Sequence, residues 1–277
     1  LTKLTLADAA IAALGIGVVL ILAFLFFRKT SYLNLTIKIN EESVAYDTWA
    51  VFNRGTRSWF GQMFYPGMKE KDGLGKTSAE VLQVRTYNTF PGRQAAYLTV
   101  KLRATYNRGS NQYIYRGKPV LIGNTIKLFL DNVLAEGLIT HIEGVPDPRQ
   151  KTSLTVQVQL REETPVYPET SGTRPYVAEA IKAGDQIVDN QGNVAIKVLD
   201  KEVSDAKRLV TTSDGRVSIQ SNPLRKDVFL TLLVNALKIG DQYFVFDDVP
   251  ILTGIEIQLN FPNIFVGAEV VKFLSTP

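Results

Sequence analysis

Residues 55–82, GTRSWFGQMFYPGMKEKDGLGKTSAEVL, and residues 172–199, GTRPYVAEAIKAGDQIVDNQGNVAIKVL, are one passage written twice. At an ungapped offset of 117, Gly55-Thr56-Arg57 falls on Gly172-Thr173-Arg174, Gly67 on Gly184, Asp72 on Asp189, Gly75 on Gly192 and Val81-Leu82 on Val198-Leu199. Those are eight identities in 28 positions, and they favour glycine and aspartate, the residues that turns require. Working outward, an offset of 131 matches Pro119 to Pro250, Gly123 to Gly254, Ile126 to Ile257, Leu128 to Leu259 and Asn132 to Asn263. At the front, Leu35-Thr36-Ile37-Lys38-Ile39 resembles Leu154-Thr155-Val156-Gln157-Val158. The matches are collinear, so the chain is expected to hold two copies of one unit, too long and too few for a solenoid.

Each copy reads as β-structure. Leu98–Arg103, Leu154–Leu160 and Ile255–Leu259 alternate apolar with polar residues, the period of a half-buried strand. Asp214-Gly215, between Arg208–Thr211 and Arg216–Ile219, is a hairpin signal. Asp72–Gly75 and Asp189–Asn193 occupy equivalent turns, and Tyr176–Lys182 is a short helical candidate stopped near Gly184. A barrel or sandwich of short strands per copy follows.

Ahead of the repeats, Ala9 to Phe27 is an uncharged run of 19 residues followed by Arg28 and Lys29. As a helix it would span about 28 Å, close to one bilayer core. The expected fold class is therefore mainly β: a single N-terminal transmembrane helix, then two tandem, internally homologous barrel- or sandwich-like domains. The expected boundaries are an anchor over 1–32, a first β-domain over 33–145, a linker over 146–151 around Val145-Pro146-Asp147-Pro148-Arg149, and a second β-domain over 152–277. Ala9, Ala13 and Gly17 lie four apart, a spacing that lets helices approach closely in lipid.

The second copy carries Gly184-Asp185-Gln186-Ile187-Val188-Asp189-Asn190-Gln191-Gly192-Asn193, then Ser213-Asp214-Gly215-Arg216-Val217 and Pro223-Leu224-Arg225-Lys226-Asp227-Val228. These stretches resemble an uncharacterised bacterial family of single-pass membrane proteins of unknown function, the DUF4330-type domain. The first copy departs from it, with Gly67-Met68-Lys69 in place of Gly184-Asp185-Gln186 and no Asp-Gly-Arg turn. The resemblance implies a bacterial envelope protein with its β-domains outside the cytoplasm. It brings no activity with it.

The residue inventory narrows the chemistry. With no cysteine, disulfides, zinc-thiolate sites and thiol catalysis are excluded. The net charge of +4 is spread along the chain, unlike the concentrated basic face of a nucleic-acid binder. Gly73-Leu74-Gly75-Lys76-Thr77 imitates a phosphate loop, but the required leading glycine is Glu70, and the repeat explains the segment as a turn. His141 is the only histidine and reads as a strand-face residue; Asp247 and Asp248, being adjacent on an extended chain, point apart and make a poor acid–base pair. Asp185, Asp189 and Asn190 lack calcium-loop spacing and read as a solvated turn. No catalytic, cofactor or metal residue is assigned, and no small-molecule substrate is evident.

Both tryptophans lie between Tyr46 and Tyr65, with Trp49, Phe52, Trp59, Phe60 and Phe64. Such a cluster is either core or an interface to lipid headgroups or a partner subunit. The expected function is a non-enzymatic, membrane-anchored structural or accessory subunit. Its expected partners are membrane lipid and other protein subunits, itself included. The competing expectations are a pilin-like filament subunit with the apolar helix in the filament core, and a ligand-binding domain.

Overall fold

In a computed structural model, residues 14–19, 30–39, 55–160 and 172–275 are described. Residues 14–19 are helical (α1). Two sheets follow. The first unit contains β1 (Thr30–Ile39), β2 (Thr56–Arg57), α2 (Ser58–Gly61), β3 (Lys69–Lys71), β4 (Thr77–Phe90), β5 (Arg93–Asn107), β6 (Gln112–Tyr115), β7 (Lys118–Pro119), β8 (Thr125–Leu130) and β9 (Val133–Ile142). The second contains β10 (Gln150–Leu160), α3 (Pro175–Ala180), β11 (Gln186–Val188), β12 (Val194–Thr211), β13 (Val217–Ile239), β14 (Gln242–Val245), β15 (Val249–Ile251), β16 (Glu256–Asn260) and β17 (Phe265–Ser275).

The expected fold class is corrected in one part. Among the described residues no helix is long and apolar enough to cross a membrane. Six helical residues rise only about 9 Å, against about 30 Å of hydrocarbon. The fold is mainly β, with two nearly closed, barrel-like sheets.

The sheets run β3-β4-β5-β1-β9-β8 and β11-β12-β13-β10-β17-β16, antiparallel and matched strand for strand. Even the irregularities coincide. The β4–β5 ladder slips between Val81 and Gln83, and β12–β13 between Val198 and Asp200, so Leu82 and Leu199 are the extra residues and both face outward. A second pair of bulges leaves out Thr140 in β9 and Val271 in β17. The register also realigns the first strands. Val81 and Val198 sit opposite Val100 and Leu232, which pair in turn with Leu35 of β1 and Val156 of β10. Leu35 therefore corresponds to Val156, two residues beyond Leu154. A period-2 pattern looks the same after a slip of two, and only pairing separates the alternatives.

Alternation fills the cores. Leu33, Leu35, Ile37 and Ile39 of β1, and Leu154, Val156, Val158 and Leu160 of β10, point inward from the centre of each sheet. The Gly-Thr-Arg motif is explained by crowding. Gly55 has φ +75°, and a Cβ there would lie 2.4 Å from the Gln94 carbonyl oxygen; at Gly172, φ is +94° and a Cβ would lie 2.5 Å from Cβ of Ala206. The following Thr56 and Thr173 are buried and bridge to Gln94 of β5 and Lys226 of β13.

Closure differs between the units. In the first, Glu70 of β3 is buried, and its carboxylate accepts from the β8 amide of Phe129 (2.8 Å), Tyr115 Oη (2.6 Å) and Ser78 Oγ (3.0 Å), and pairs with Arg116. The Asp131 amide donates to the Lys69 carbonyl at 2.9 Å, completing the β3–β8 seam. In the second unit Ile187, Ala195, Val245 and Phe246 stand where Glu70, Ser78, Tyr115 and Arg116 stand, and all four are buried. The end strands of the first sheet are bridged by a satisfied buried charge, and the matching places of the second are filled by apolar side chains. Gly55→Ala should cost about 2 kcal/mol or more through strain and backbone overlap. Gly75→Ala, with φ +74° and open space around it, should cost about 1 kcal/mol. Urea unfolding midpoints of the two variants measure the difference.

Candidate functional site

Asp247 and Asp248 each reach a cation of the other unit. They lie in the tight connection between β14 and β15, where Phe246 and Asp247 adopt φ +52° and +74°. Asp247 pairs with Arg85 of β4, and Asp248 with Lys38 of β1, whose side chain is 8% exposed. Adjacent residues do point apart; here that sends the two carboxylates to two different strands of the first unit.

Aromatic rings pack around these pairs. Tyr97 donates from Oη to the Phe246 carbonyl at 3.2 Å, and the Arg85 guanidinium lies 5.6 Å and 5.3 Å from the ring centres of Tyr87 and Tyr97. Tyr87 stacks at a tilt on Phe246 (5.5 Å), and Phe90 meets Phe265 edge-on at 4.6 Å. Tyr87, Ala95 and Tyr97 of the first unit thus belong to the apolar core of the second.

The free edge of β4 completes the seam. β3 is too short to cover β4 beyond Glu80, and the turn at 189–193 takes its place. Asn190 donates from its amide to the Thr86 carbonyl (3.1 Å), accepts from the Thr86 amide through Oδ1 (2.8 Å) and donates from Nδ2 to the Val84 carbonyl (3.1 Å). Gln191 adds Nε2 to the Val84 carbonyl (3.1 Å) and accepts from Gln83 (2.9 Å). The turn behaves as a short added strand, satisfying an edge that would otherwise invite another chain. It is built by Asp189, whose Oδ1 accepts from the amides of Gln191 and Asn193, both at 2.9 Å. Asp72 does the same for Leu74 and Lys76, at 3.0 and 2.9 Å, so the phosphate-loop imitation is a turn and the expected solvated turn at 189–193 is a docked one.

A cleft of about 420 Å³ opens beside the seam, lined on its charged side by Arg85, Lys151, Asp189 and Asp247 and on its apolar side by Tyr87 and Phe246. Burial pushes the Asp247 carboxyl above the ordinary range, outweighing the pull of Arg85 and Arg149. Burial, with the nearby Asp247 charge, raises Tyr87 to about 12. The linker is pinned too. Arg149 forks onto Asp147 (2.8 and 2.7 Å) and donates to the Thr140 carbonyl (3.0 Å), while His141 Nδ1 lies 3.1 Å from Asp147. Hydrogen bonding from Arg149 holds the Asp147 carboxyl well below its usual range.

The residues singled out from sequence are scattered. Ala9, Ala13, Trp49 and Phe52 lie outside the described residues. Gly17 is described, with open space around it. Phe64 is core, Phe60 is half-buried against it and Trp59 is 59% exposed. Tyr176, at the matching place in α3, is 57% exposed, so an outward aromatic on this short helix is common to both units. Sequence reading missed Arg85 and Lys38, took Asn190 for part of a solvated turn, and weighed Asp247 and Asp248 only as an acid–base pair, which it set aside. The available signal was a change of sign: Arg85 stands opposite Glu202 in the repeat.

Comparison with known proteins adds one relationship. Residues 146–273 match the family described as "Domain of unknown function (DUF4330)", which spans the second unit. No curated protein and no solved structure matches the chain.

The two aspartates should respond to pH in opposite senses. A raised folded-state pKa means the folded chain releases its proton later than the unfolded chain, so Asp247 costs stability as pH climbs above the ordinary carboxylate range. A lowered pKa means Asp147 contributes stability at neutral pH that fades as pH falls below that range. In denaturant midpoints, Asp247→Asn should therefore gain on the wild type as pH rises above the ordinary carboxylate range, and Asp147→Asn should lose on it at neutral pH and converge with it as pH falls below that range. Separately, Asn190→Ala should speed exchange of the Thr86 amide by roughly tenfold or more, read by hydrogen exchange.

Proposed function

We propose that this chain is a non-enzymatic structural or accessory protein of the cell envelope, acting through protein–protein contacts of its two β-units. The observation that carries the reading is a projecting arm. The β12–β13 ladder continues from Ala206–Asn222 to Thr211–Val217, whereas the matching β4–β5 hairpin ends at Phe90–Arg93. An isolated two-stranded ribbon is marginal in water. This one displays Val217 and Ile219, 65% and 70% exposed and two residues apart on one face. Exposed apolar residues on an arm with strand edges fit a docking element.

The duplication supports the same reading, since equivalent units joined by a polar clasp present equivalent surfaces at two places. A second reading, a ligand held in the cleft by Arg85, Lys151 and Tyr87, rests on the cavity at the seam. The experiment is capture of partners by the full chain in its native host, with wild type compared with Val217→Ser/Ile219→Ser. Partners recovered in stoichiometric amounts by the wild type and lost by the variant, with circular dichroism unchanged, are expected. Identical recoveries would contradict the arm's role. A thermal shift with small metabolites that disappears on Lys151→Ala would favour the cleft.

A further inference from the structure

The seam inside the chain is a head-to-tail contact. The first unit contributes the β4 edge; the second contributes its 189–193 turn and its β14–β15 connection. Because the units match strand for strand, the second unit has its own version of that edge and the first has its own version of those turns. The unused edge is residues 200–203 of β12. Beyond Lys197, no strand pairs with this side of β12 among the described residues. Asp200, Glu202 and Val203 are exposed, while Lys201 is turned inward onto the carbonyls of Ala178 and Ile181, at 2.9 and 2.7 Å. The unused turns are 72–76 and 116–118, with Leu74, Lys76 and Lys118 exposed.

Charge gives this pair of surfaces a direction. Inside the chain the edge side is basic at Arg85 and the turn side acidic at Asp247 and Asp248. At the matching places the edge is acidic, with Glu202 for Arg85 and Asp200 for Gln83. The turns have lost their acids, with Gly117 for Asp247 and no counterpart of Asp248 in a connection one residue shorter, and they carry Lys118 for Val249 and Lys76 for Asn193. An acidic edge facing acidic turns would repel; the loss of those acids and the lysines at 76 and 118 keep the attraction. The turn geometry is also kept, since Asp72 shapes 72–76 through the same two amide hydrogen bonds that Asp189 makes. The apolar end of the contact survives as well. The in-chain pair Phe90–Phe265 is replaced by the projecting arm on one side and by Leu134, the exposed counterpart of Phe265, on the other.

We infer that the β12 edge and arm of one copy bind the 72–76 and 116–118 turns of a second copy, repeating between chains the seam found within each. The inference rests on the reading of this protein as one that works through protein contacts, and it names the partner as the chain itself. Such a contact is heterologous and does not close at two, so it strings chains into a ring where the rotation closes and an open row where it does not.

Sedimentation velocity of the full chain tests it. The average mass should climb steadily with protein concentration, in steps of one chain, and fall back in high salt. Glu202→Lys and Lys118→Glu change exposed residues away from both cores. Each variant alone should associate roughly tenfold more weakly or worse. An equimolar mixture should regain the wild-type behaviour, because every junction in it can set a lysine against a glutamate. A wild type that stays monomeric, a wild type that stops at a dimer, or single variants that assemble normally would each overturn the inference. If the chain is monomeric yet still loses its host partners on Val217→Ser/Ile219→Ser, this inference falls and the accessory reading stands.

Discussion

Two carboxylates in one tight connection, Asp247 and Asp248, hold the units together by reaching Arg85 and Lys38 of the other unit. Each pair has one sheltered member, Lys38 or Asp247, and one that water reaches, Asp248 at 39% and Arg85 at 32% exposed, so losing a partner costs less than the ~3–5 kcal/mol of a fully buried pair. The pairs therefore fix the position of one unit on the other more than they add net stability. Everything near the seam depends on that position: the Phe246 ring lies against Tyr87, Tyr97 can donate to the Phe246 carbonyl, and Asn190 lies in register with Val84 and Thr86. The second unit's core accordingly takes in residues of the first.

An exposed strand edge is a hazard that folded proteins manage by covering it. This chain covers the β4 edge with a side-chain amide of its own second unit and leaves the equivalent β12 edge to solvent among the described residues. The two units diverge where their environments diverge. The Glu70 cluster of the first unit becomes Ile187, Ala195, Val245 and Phe246 in the second, and Phe246 is then free to serve the seam. Arg116 and Phe246 share a left-handed backbone, at φ +48° and +52°, but the connection after Phe246 is one residue longer, and the added Asp248 is the residue that reaches Lys38.

What the sequence revealed follows from which residues a turn demands. Gly55, Gly172, Asp72 and Asp189 are held in place by positive φ, close backbone approach and amide hydrogen bonds, so the repeat could be seen through them. Strands tolerate any apolar residue at inward places, and β1 was accordingly aligned two residues out against β10. The seam was hidden because it lives at positions where the copies differ, and difference has no periodic signature. The apolar run at Ala9–Phe27 satisfied a length rule for membrane helices, yet no described helix is long enough to cross a membrane. The aromatic cluster split because Phe64 faces the barrel interior while Trp59, on a one-turn helix, faces out.

The central claim is that the seam makes two equivalent units unfold as one body. Differential scanning calorimetry of the full chain tests it most directly, since a two-state body has equal calorimetric and van't Hoff enthalpies. A single transition with that equality, splitting into two when Arg85 and Lys38 are both replaced by uncharged residues, is the predicted result. Two separate transitions in the unaltered chain would contradict the account.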